Sequence, residues 1–175
     1  AIMTPEVNHL MNTLAMKNDL ALLQRETFDY FTYEVNPANG LVLDKTEASW
    51  PASIAATGLA LSCYPVGVER GFMTRNAAVE RTLTTLRFFW NSPQGSEPDA
   101  TGYRGFYYHF LDMQTGRRAW HCELSTIDSA LLLAGALATA QYFTGNTVAE
   151  AEIRTLAEAL YRRADWCWAQ DGGKT

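Results

Sequence analysis

Two kinds of helical segment alternate along this chain, and the alternation limits the folds that it can adopt. Residues 51–64 and 125–143 are predicted helices with apolar or small side chains on every side. Residues 74–90 and 147–168 are predicted helices with a charged face opposite an apolar stripe. A helix that is apolar all round is buried, whereas one with a charged face lies at the surface. With a first helix over residues 5–33, the order is outer, inner, outer, inner, outer.

This order predicts an all-α fold with two concentric rings of helices, an (α/α) toroid of which this chain supplies about five helices. A simple helical bundle would make most of the helices amphipathic. The 175 residues, 47% of them hydrophobic, suffice for one core and are too few for two ordinary domains. We expect the inner helices to be nearly fully buried in the intact protein. In an isolated five-helix piece, one apolar flank of these helices would stay open.

Two long loops, residues 36–50 and 91–124, lead from outer helices into inner ones. They should therefore gather at one end of the toroid, and loops of this length in a compact domain are usually functional. Within the second loop, residues 103–111 and 118–121 are predicted as two short strands around Thr115-Gly116. The sequence thus places a short β-hairpin in a long loop.

Composition excludes several classes of partner. The net charge of −5 argues against a nucleic-acid partner, and no apolar run is long enough to predict membrane insertion. Metal-ligand pairs of the His-x-x-x-His or Cys-x-x-Cys type and glycine-rich phosphate loops are absent from the sequence, so we predict no cofactor and no metal. The chain opens with Ala1 and shows no signal peptide, a pattern typical of either a processed secreted protein or a trimmed one. A periplasmic or secreted location is favoured.

The second long loop and the start of the next helix concentrate residues typical of a sugar site. Residues 105–128 contain several aromatic side chains, two histidines and three carboxylates. Aromatic faces stack on the C–H faces of pyranose rings, while carboxylates bind hydroxyl groups or act as acid and base. The segment therefore predicts a carbohydrate-binding or carbohydrate-cleaving site.

Four blocks, at residues 40–44, 53–58, 105–112 and 123–131, together resemble the bacterial glucoamylase-like family. That family includes endo-β-1,2-glucanases and the related region of cyclic β-1,2-glucan synthases. The resemblance covers nearly the whole chain, with the blocks in the family's order. It implies an (α/α)6 barrel, a carboxylate-based glycosidase site and an oligo- or polysaccharide substrate, with β-1,2-glucan as the expected β-glucan.

A complete (α/α)6 barrel needs more helices than the five predicted here. Residues 1–175 are therefore expected to be the N-terminal portion of a single barrel domain, with the remaining half of the same barrel as a candidate partner. Two alternatives to a hydrolase stay open. One is a transglycosylating relative, and the other is a non-catalytic carbohydrate-binding or assembly module.

Glu123 is the predicted catalytic residue. It lies two residues before a helix that begins with Ser125-x-x-Asp128, the pattern of a capping box. The positive end of the helix favours an ionised carboxylate, which suits a base, a nucleophile or an acceptor for a sugar hydroxyl. Burial beside Trp120 would instead suit a general acid, so the role stays open. The alternative is a carboxylate that serves only the helix dipole.

Six further residues are predicted to bind substrate: Asp44, Trp50, Tyr107, His109, Trp120 and Asp128. The resemblance places Asp44 toward the sugar, although a loop aspartate more often forms a turn. Asp128 could serve only as part of the helix cap. Trp50 and Trp120 are candidates for stacking.

Strand periodicity decides which side chains of the hairpin share a face. If residues 103–111 form one strand, Tyr107 and His109 point the same way, opposite Tyr108. One face could then contact sugar while the other packs, although a plain core hairpin would look the same. Asp112 is predicted to be a turn residue. We expect a single cleft lined by Asp44, Tyr107, His109, Trp120 and Glu123.

Overall fold

The computed structural model describes residues 5–171 and is mainly helical, with 58% of residues in helices. The chain divides after Tyr33 into two compact units. The first unit contains helix α1 (Pro5–Tyr33), which has the predicted bounds and runs for 29 residues without a break. None of the helices among the described residues has the length and apolarity needed to cross a bilayer.

All other elements belong to the second unit. Its helices are α2 (Ile54–Glu69), α3 (Arg75–Asn91), α4 (Thr126–Tyr142), α5 (Val148–Arg163) and the short α6 (Trp166–Ala169). Its strands are β1 (Ala52–Ser53), β2 (Gly102–Tyr103), β3 (Phe106–Tyr108), β4 (Phe110–Leu111) and β5 (Leu124–Ser125). The predicted all-α class with short strands in the long loop is confirmed.

The two predicted inner helices, α2 and α4, pack directly against each other. A Cβ atom on Gly58 would lie 2.5 Å from the Cα atom of Leu132, and one on Gly135 would lie 2.1 Å from the carbonyl oxygen of Gly58. The helices therefore meet backbone to backbone, which only glycine allows. The charged helices α3 and α5 pack on each other, and α5 also packs on the inner helix α4.

Each inner helix nevertheless keeps one apolar stripe exposed. Ile127, which is 72% exposed, and Leu131 form the stripe on α4, while Leu59 and Val66 form the stripe on α2. In the described structure, helices α2 and α4 are therefore only partly buried. The open stripes agree instead with the apolar flank expected for a five-helix piece.

Helix α2 begins and ends later than predicted. It begins at Ile54 because Ala52 and Ser53 pair with β4, and the Ser53 side chain then caps the helix by accepting from the Ala56 amide. It continues through Pro65, the predicted stop. Proline inside a helix removes one hydrogen bond. The buried side chains of Leu61 and Tyr64 on the same turns show the packing that outweighs this loss.

The last predicted helix is divided in two. Helix α5 ends at Arg163 because Ala164 takes an extended conformation and the Asp165 amide donates to the carbonyl oxygen of Arg104 at 3.0 Å. Asp165 then caps α6 by accepting from the Trp168 amide. An aspartate can bond to nearby amides and so end one helix and start another.

The first predicted strand is also broken, because Arg104 and Gly105 adopt φ values of 52° and 82°. The chain turns there, and β2 pairs antiparallel with β3. The hairpin predicted around Gly116 is confirmed, since Leu111 bridges Arg118 in antiparallel register. The intervening turn is closed by a 2.8 Å hydrogen bond from the Gly116 amide to the Asp112 carbonyl.

Residues 106–111 connect the starts of both inner helices. Strand β3 pairs with β5, which leads directly into α4, whereas β4 pairs with β1, which leads directly into α2. His109 lies between these two pairings, and its carbonyl accepts from the amide of Ile54, the first residue of α2, at 3.2 Å. The fold therefore fixes His109 at the N-terminal ends of both inner helices.

A partly buried ion pair joins the outer helices. The Glu150 residue is 4% exposed, and its carboxylate accepts from Arg75 Nε at 2.8 Å and from Arg75 Nη2 at 2.9 Å. The Gly145 amide donates to the same carboxylate. The hydrogen bonds from Arg75 are the largest cause of a lowered pKa for Glu150.

Glu150→Gln is expected to reduce the free energy of unfolding by about 1–3 kcal/mol at neutral pH, since it removes charge-assisted hydrogen bonds. Because the folded-state pKa lies below the ordinary value of 4.5, this contribution is present above pH 4.5 and is lost as the pH falls through the folded-state pKa. Denaturant unfolding at several pH values should show wild type and variant converging in acid. Glu158→Gln, which removes an exposed pair with Arg162, is the control and should change stability little. A difference independent of pH would contradict this account of Glu150.

Candidate active site

His109 lies between two carboxylates. Its Nδ1 atom is 2.8 Å from Oε1 of Glu123, and its Nε2 atom is 3.8 Å from Oδ2 of Asp128. Since an ionised carboxylate can only accept, the Nδ1–H group must be the donor to Glu123. The structure therefore brings together three of the residues predicted from sequence.

The surrounding elements hold His109 and Glu123 in this arrangement. The His109 amide donates to the Glu123 carbonyl at 3.1 Å, which extends the pairing of β3 with β5 by one step. The imidazole ring stacks on Phe110, with ring centroids 3.9 Å apart and an interplanar angle of 13°. Backbone pairing and ring stacking together fix the direction in which the imidazole points.

The Glu123 side chain is 65% exposed, so a ligand can reach it. A hydrogen bond from its own backbone amide and a second one from His109 lower the pKa of Glu123 below its ordinary value. Both interactions favour the charged form. This carboxylate is therefore an ionised group that faces solvent.

Asp128 belongs both to the helix cap and to the cluster around His109. The Ser125 hydroxyl accepts from the Asp128 amide at 3.1 Å, which confirms Ser125 as the N-cap of α4. The same hydroxyl donates to Oδ2 of Asp128, the oxygen that faces His109. The capping role and a place beside His109 are thus compatible.

Aromatic contacts connect the first long loop to this cluster. Trp50 donates from Nε1 to Oδ2 of Asp44 at 3.1 Å, and its ring meets that of Trp120 edge to face at a centroid distance of 4.7 Å. Trp120 is 57% exposed, and its ring lies 5.4 Å from that of Phe110, which in turn stacks on His109. A continuous series of contacts therefore runs from Asp44 to Glu123.

A cleft of about 860 Å³ lies beside the two tryptophans. Trp50 and Trp120 line it, whereas Asp44, His109 and Glu123 are not among its lining residues. The prediction of a single cleft containing all these residues is therefore wrong. The tryptophan pair forms a wall of the cleft, and Phe110 links that wall to His109.

The predicted contact of Tyr107 with substrate is corrected by the structure. Tyr107 is fully buried, its hydroxyl donates to the Phe89 carbonyl at 2.9 Å, and it accepts from Arg163. Burial raises the pKa of Tyr107 to about 12. The His109 ring instead stacks on Phe110 beside Glu123, so Tyr107 and His109 do not form one sugar-binding face.

Arg118 is an organising residue that the sequence analysis did not single out. It donates to the carbonyl oxygens of Cys122 at 2.5 Å and His121 at 2.8 Å, and its guanidinium lies 4.2 Å from the centroid of the Tyr108 ring. These contacts fix the turn that presents Trp120. The position of Arg118 two residues before Trp120 is the sequence signal from which this organising role could have been predicted.

The donor atoms of His109, Glu123 and Asp128 all lie within 4.8 Å of one another, so these residues could hold a metal ion. One imidazole with two carboxylates suits several divalent metals. We assign no ion to them, because His109 Nδ1 and Asp128 Oδ2 already have hydrogen-bond partners within the protein. The absence of a cofactor stays a prediction.

Comparison with known proteins identifies the class to which this fold is similar. No protein-family model matches the chain. A candidate glucoamylase of known structure from Bacteroides uniformis matches 86% of this chain with a TM-score of 0.76 and 31% identity, and the chain covers 36% of that protein. The architecture is that of the glucoamylase-like α/α toroid proteins, and the resemblance predicted from sequence is confirmed.

Two further relatives are named for activity on β-1,2-linked glucans or glucooligosaccharides. A β-1,2-glucanase structure from Parabacteroides distasonis matches 87% of this chain with a TM-score of 0.77 and 24% identity, and the chain covers 22% of that protein. The curated exo β-1,2-glucooligosaccharide sophorohydrolase from the same species is 25% identical over 155 residues, which are 85% of this chain and 20% of that protein. The chain thus spans about a fifth of the length of this curated relative.

Proposed function

We propose that the protein is a glycoside hydrolase that cleaves β-glucan, with β-1,2-glucan as its substrate and Glu123 as its acid–base carboxylate. One observation carries the proposal. An accessible carboxylate lies just before an inner helix and is hydrogen-bonded to His109, which connects through Phe110 to the exposed ring of Trp120. The names of the relatives supply the substrate class.

Hydrolysis breaks the bond between the anomeric carbon and the glycosidic oxygen, and water supplies a hydroxyl to the carbon and a proton to the leaving oxygen. Glu123 is ionised when it faces solvent. A bound sugar would displace water from this side chain and raise its pKa, which suits a group that exchanges a proton during the reaction.

His109 is assigned to position Glu123 rather than to react. Its Nδ1–H group directs one carboxylate oxygen, while stacking on Phe110 restrains the ring. The second oxygen of Glu123 is then the one that can face a sugar. A fixed carboxylate orientation matters because proton transfer requires hydrogen-bond geometry with the reacting oxygen.

Asp128 is assigned to support His109 and Ser125. In inverting glycosidases the two reacting carboxyl groups stand about 6.5–9.5 Å apart, which leaves room for a water molecule. The oxygens of Glu123 and Asp128 that face His109 lie within 4.8 Å of each other, on either side of the same imidazole ring. This spacing is shorter than the inverting one and near the spacing of about 5–5.5 Å in retaining enzymes. The assignment of Asp128 to a supporting role therefore rests on its contacts with His109 and Ser125.

Sugar binding is assigned to Trp120, Trp50 and Asp44. The exposed face of Trp120 offers a stacking surface for a pyranose ring. Asp44 holds the Trp50 indole by accepting from its N–H group, so we expect Asp44 to act through Trp50 as well as by direct contact.

Two alternatives concern the substrate and the acceptor at the same site. The relative with 31% identity is a candidate glucoamylase, which favours α-glucan as an alternative substrate. Transglycosylation would need the same Glu123 and differs only in the acceptor, which would be a sugar hydroxyl instead of water.

We also propose that the chain forms the N-terminal portion of an (α/α)6 barrel. The exposed apolar stripes on α2 and α4 support this, because Leu59 and Ile127 are large side chains that a further helix would cover. The match to only 36% of the B. uniformis protein supports it as well.

The proposed role of His109 predicts a shift in pH dependence. His109→Gln removes a hydrogen bond that lowers the pKa of Glu123, so the limb of the kcat/KM profile that reports Glu123 should move to higher pH. Movement of the acid limb indicates that ionised Glu123 is required, whereas movement of the basic limb indicates a general acid. His121→Gln, at an exposed histidine in the same loop, is the control. An unchanged profile in a folded His109→Gln protein would contradict the assignment.

A further inference from the structure

We infer that Arg118 is a positioning residue for the Glu123 carboxylate, and that it acts through the peptide bond between Cys122 and Glu123. This inference deepens the proposed function and rests on it, because that proposal gives Glu123 its acid–base role. His109 directs one carboxylate oxygen, whereas Arg118 orients the backbone from which the side chain extends.

The peptide bond before Glu123 is restrained at its oxygen and donates from its nitrogen. Its carbonyl oxygen, on Cys122, accepts from Arg118 Nε at 2.5 Å. Its N–H group, on Glu123, donates to the carboxylate of Glu123 itself. A trans peptide unit is planar, with oxygen and hydrogen on opposite sides, so fixing the oxygen also fixes the direction of the N–H group. Arg118 therefore sets the direction of the amide that holds the carboxylate.

The turn that leads into this peptide is strained and requires a restraint. Trp120 and His121 are consecutive residues with φ values of 53° and 52°. A positive φ is an outlier for a residue as bulky as tryptophan, and such strain persists where the surrounding structure enforces it. Arg118 Nη2 donates to the His121 carbonyl at 2.8 Å, so one guanidinium holds the carbonyls of two successive residues. Arginine suits this task because its donors form a rigid fork.

Arg118 is itself anchored to the strands beside the site. Its backbone bridges Leu111 in antiparallel register, and its guanidinium lies 4.2 Å from the centroid of the Tyr108 ring. Tyr108 is buried and pairs with Leu124, the residue that follows Glu123. The backbone of Glu123 is therefore tied to the same strands on both sides, through Arg118 before it and through Leu124 after it.

The charge of Arg118 acts in the same direction as its geometry. Among the described residues, the charged or titratable side chains around Glu123 are His109, Asp128 and Arg118. The pKa of Glu123 is lowered first by the hydrogen bond from its own amide and next by the one from His109, and the positive charge of Arg118 adds to both. Loss of Arg118 frees the amide and removes a favourable charge, so both effects should raise the pKa of Glu123.

The test compares Arg118→Met, Arg118→Lys and Arg117→Met with wild type as full-length proteins acting on β-1,2-glucan. Arg118→Met should lower kcat by about 10–10²-fold with little change in KM, the scale expected when a reacting group is displaced by about 1 Å. The limb of the kcat/KM profile that reports Glu123 should also move to higher pH, which a merely structural role would not cause. Arg117→Met is the matched control, at an exposed neighbouring arginine that pairs with Asp99, and should behave like wild type.

Arg118→Lys keeps the charge and the apolar stem but replaces the fork with one compact donor group, so its kcat should lie between those of wild type and Arg118→Met. It carries the test should Arg118→Met fail to fold, and melting temperatures show which variants are folded. A measurement without substrate completes the test. The carboxyl signal of Glu123, assigned by its loss in Glu123→Gln, should titrate at higher pH in Arg118→Met than in wild type when followed by NMR.

An unchanged titration of Glu123 in Arg118→Met, or wild-type kcat in Arg118→Lys, would overturn the inference, while cleavage of β-1,2-glucan by wild type would still uphold the proposed function. A loss confined to KM would overturn it as well, because it would indicate direct contact of Arg118 with the sugar. If wild type cleaved no glucan but the titration shifted as expected, the proposed function would fall and the positioning of Glu123 by Arg118 would stand.

Discussion

Glu123→Gln is expected to lower turnover of β-1,2-glucan by at least ~10²-fold, the scale of a lost acid–base contribution. The amide is nearly isosteric with the carboxylate, and the side chain is mostly exposed, so the fold should be retained. The amide oxygen can still accept from His109 Nδ1–H. Turnover, glucan affinity and melting temperature should be measured on the same preparation.

The affinity measurement separates two roles for Glu123. If the residue is catalytic, glucan binding survives the substitution, whereas binding weakens if the carboxylate only holds a sugar hydroxyl. Thr126→Ala is the control, because Ser125 caps α4 without it. Near-normal turnover in a folded Glu123→Gln protein would transfer the acid–base role to another carboxylate.

Gly135→Ala should give a large loss of stability, because it affects the closest contact between α2 and α4. Alanine is favoured over glycine inside a helix by up to about 1 kcal/mol. The added Cβ atom, however, would lie 2.1 Å from the Gly58 carbonyl oxygen, and a backbone atom cannot rotate away. Overpacking costs about 1–3 kcal/mol, and an overlap with backbone this close belongs at the upper end of that range. After the gain from alanine is subtracted, we expect a net loss of about 2 kcal/mol and a fall in Tm of about 4–8 °C.

Ala134→Ser is the matched control for this prediction. It lies next to Gly135 on the same helix but is exposed, so its effect should stay within about 0.5 kcal/mol. Calorimetric unfolding of the two variants checks the contrast. An equal or higher Tm for Gly135→Ala would mean that α2 and α4 do not approach as closely as described.

Local sequence signals predicted much of the fold correctly. Helices α3 and α4 begin one residue after their predicted starts, because Thr74 and Ser125 are N-caps rather than helical residues. Asp112 is a turn residue as predicted, since its Oδ1 atom accepts from the amides of Gln114 and Thr115. Capping and turn formation involve residues within a few positions of each other, so the sequence displays them directly.

Long-range contacts account for the errors. The burial of Leu61 and Tyr64 carries α2 past Pro65, and a hydrogen bond from Asp165 to Arg104 divides the last helix, yet neither contact is visible in local sequence. Tyr107 looked like half of a sugar-binding face, whereas the structure buries it beneath Phe89.

For the candidate site, too, the sequence predicted individual residues but not the long-range contacts between them. His109, Glu123 and Asp128 were each singled out by residue type, but the hydrogen bond that joins His109 to Glu123 depends on the pairing of β3 with β5. Asp44 and Trp50 were likewise named separately, and only the folded loop reveals the bond between them.

The central claim is that the carboxylate at Glu123 cleaves β-1,2-glucan, and one measurement tests it most directly. Reducing ends released from β-1,2-glucan and from an α-1,4-glucan should be counted for wild type and Glu123→Gln under the same conditions. The account predicts release from β-1,2-glucan alone, reduced at least ~10²-fold by the substitution. Release from the α-1,4-glucan alone, or release from β-1,2-glucan that is unaffected by Glu123→Gln, would contradict it.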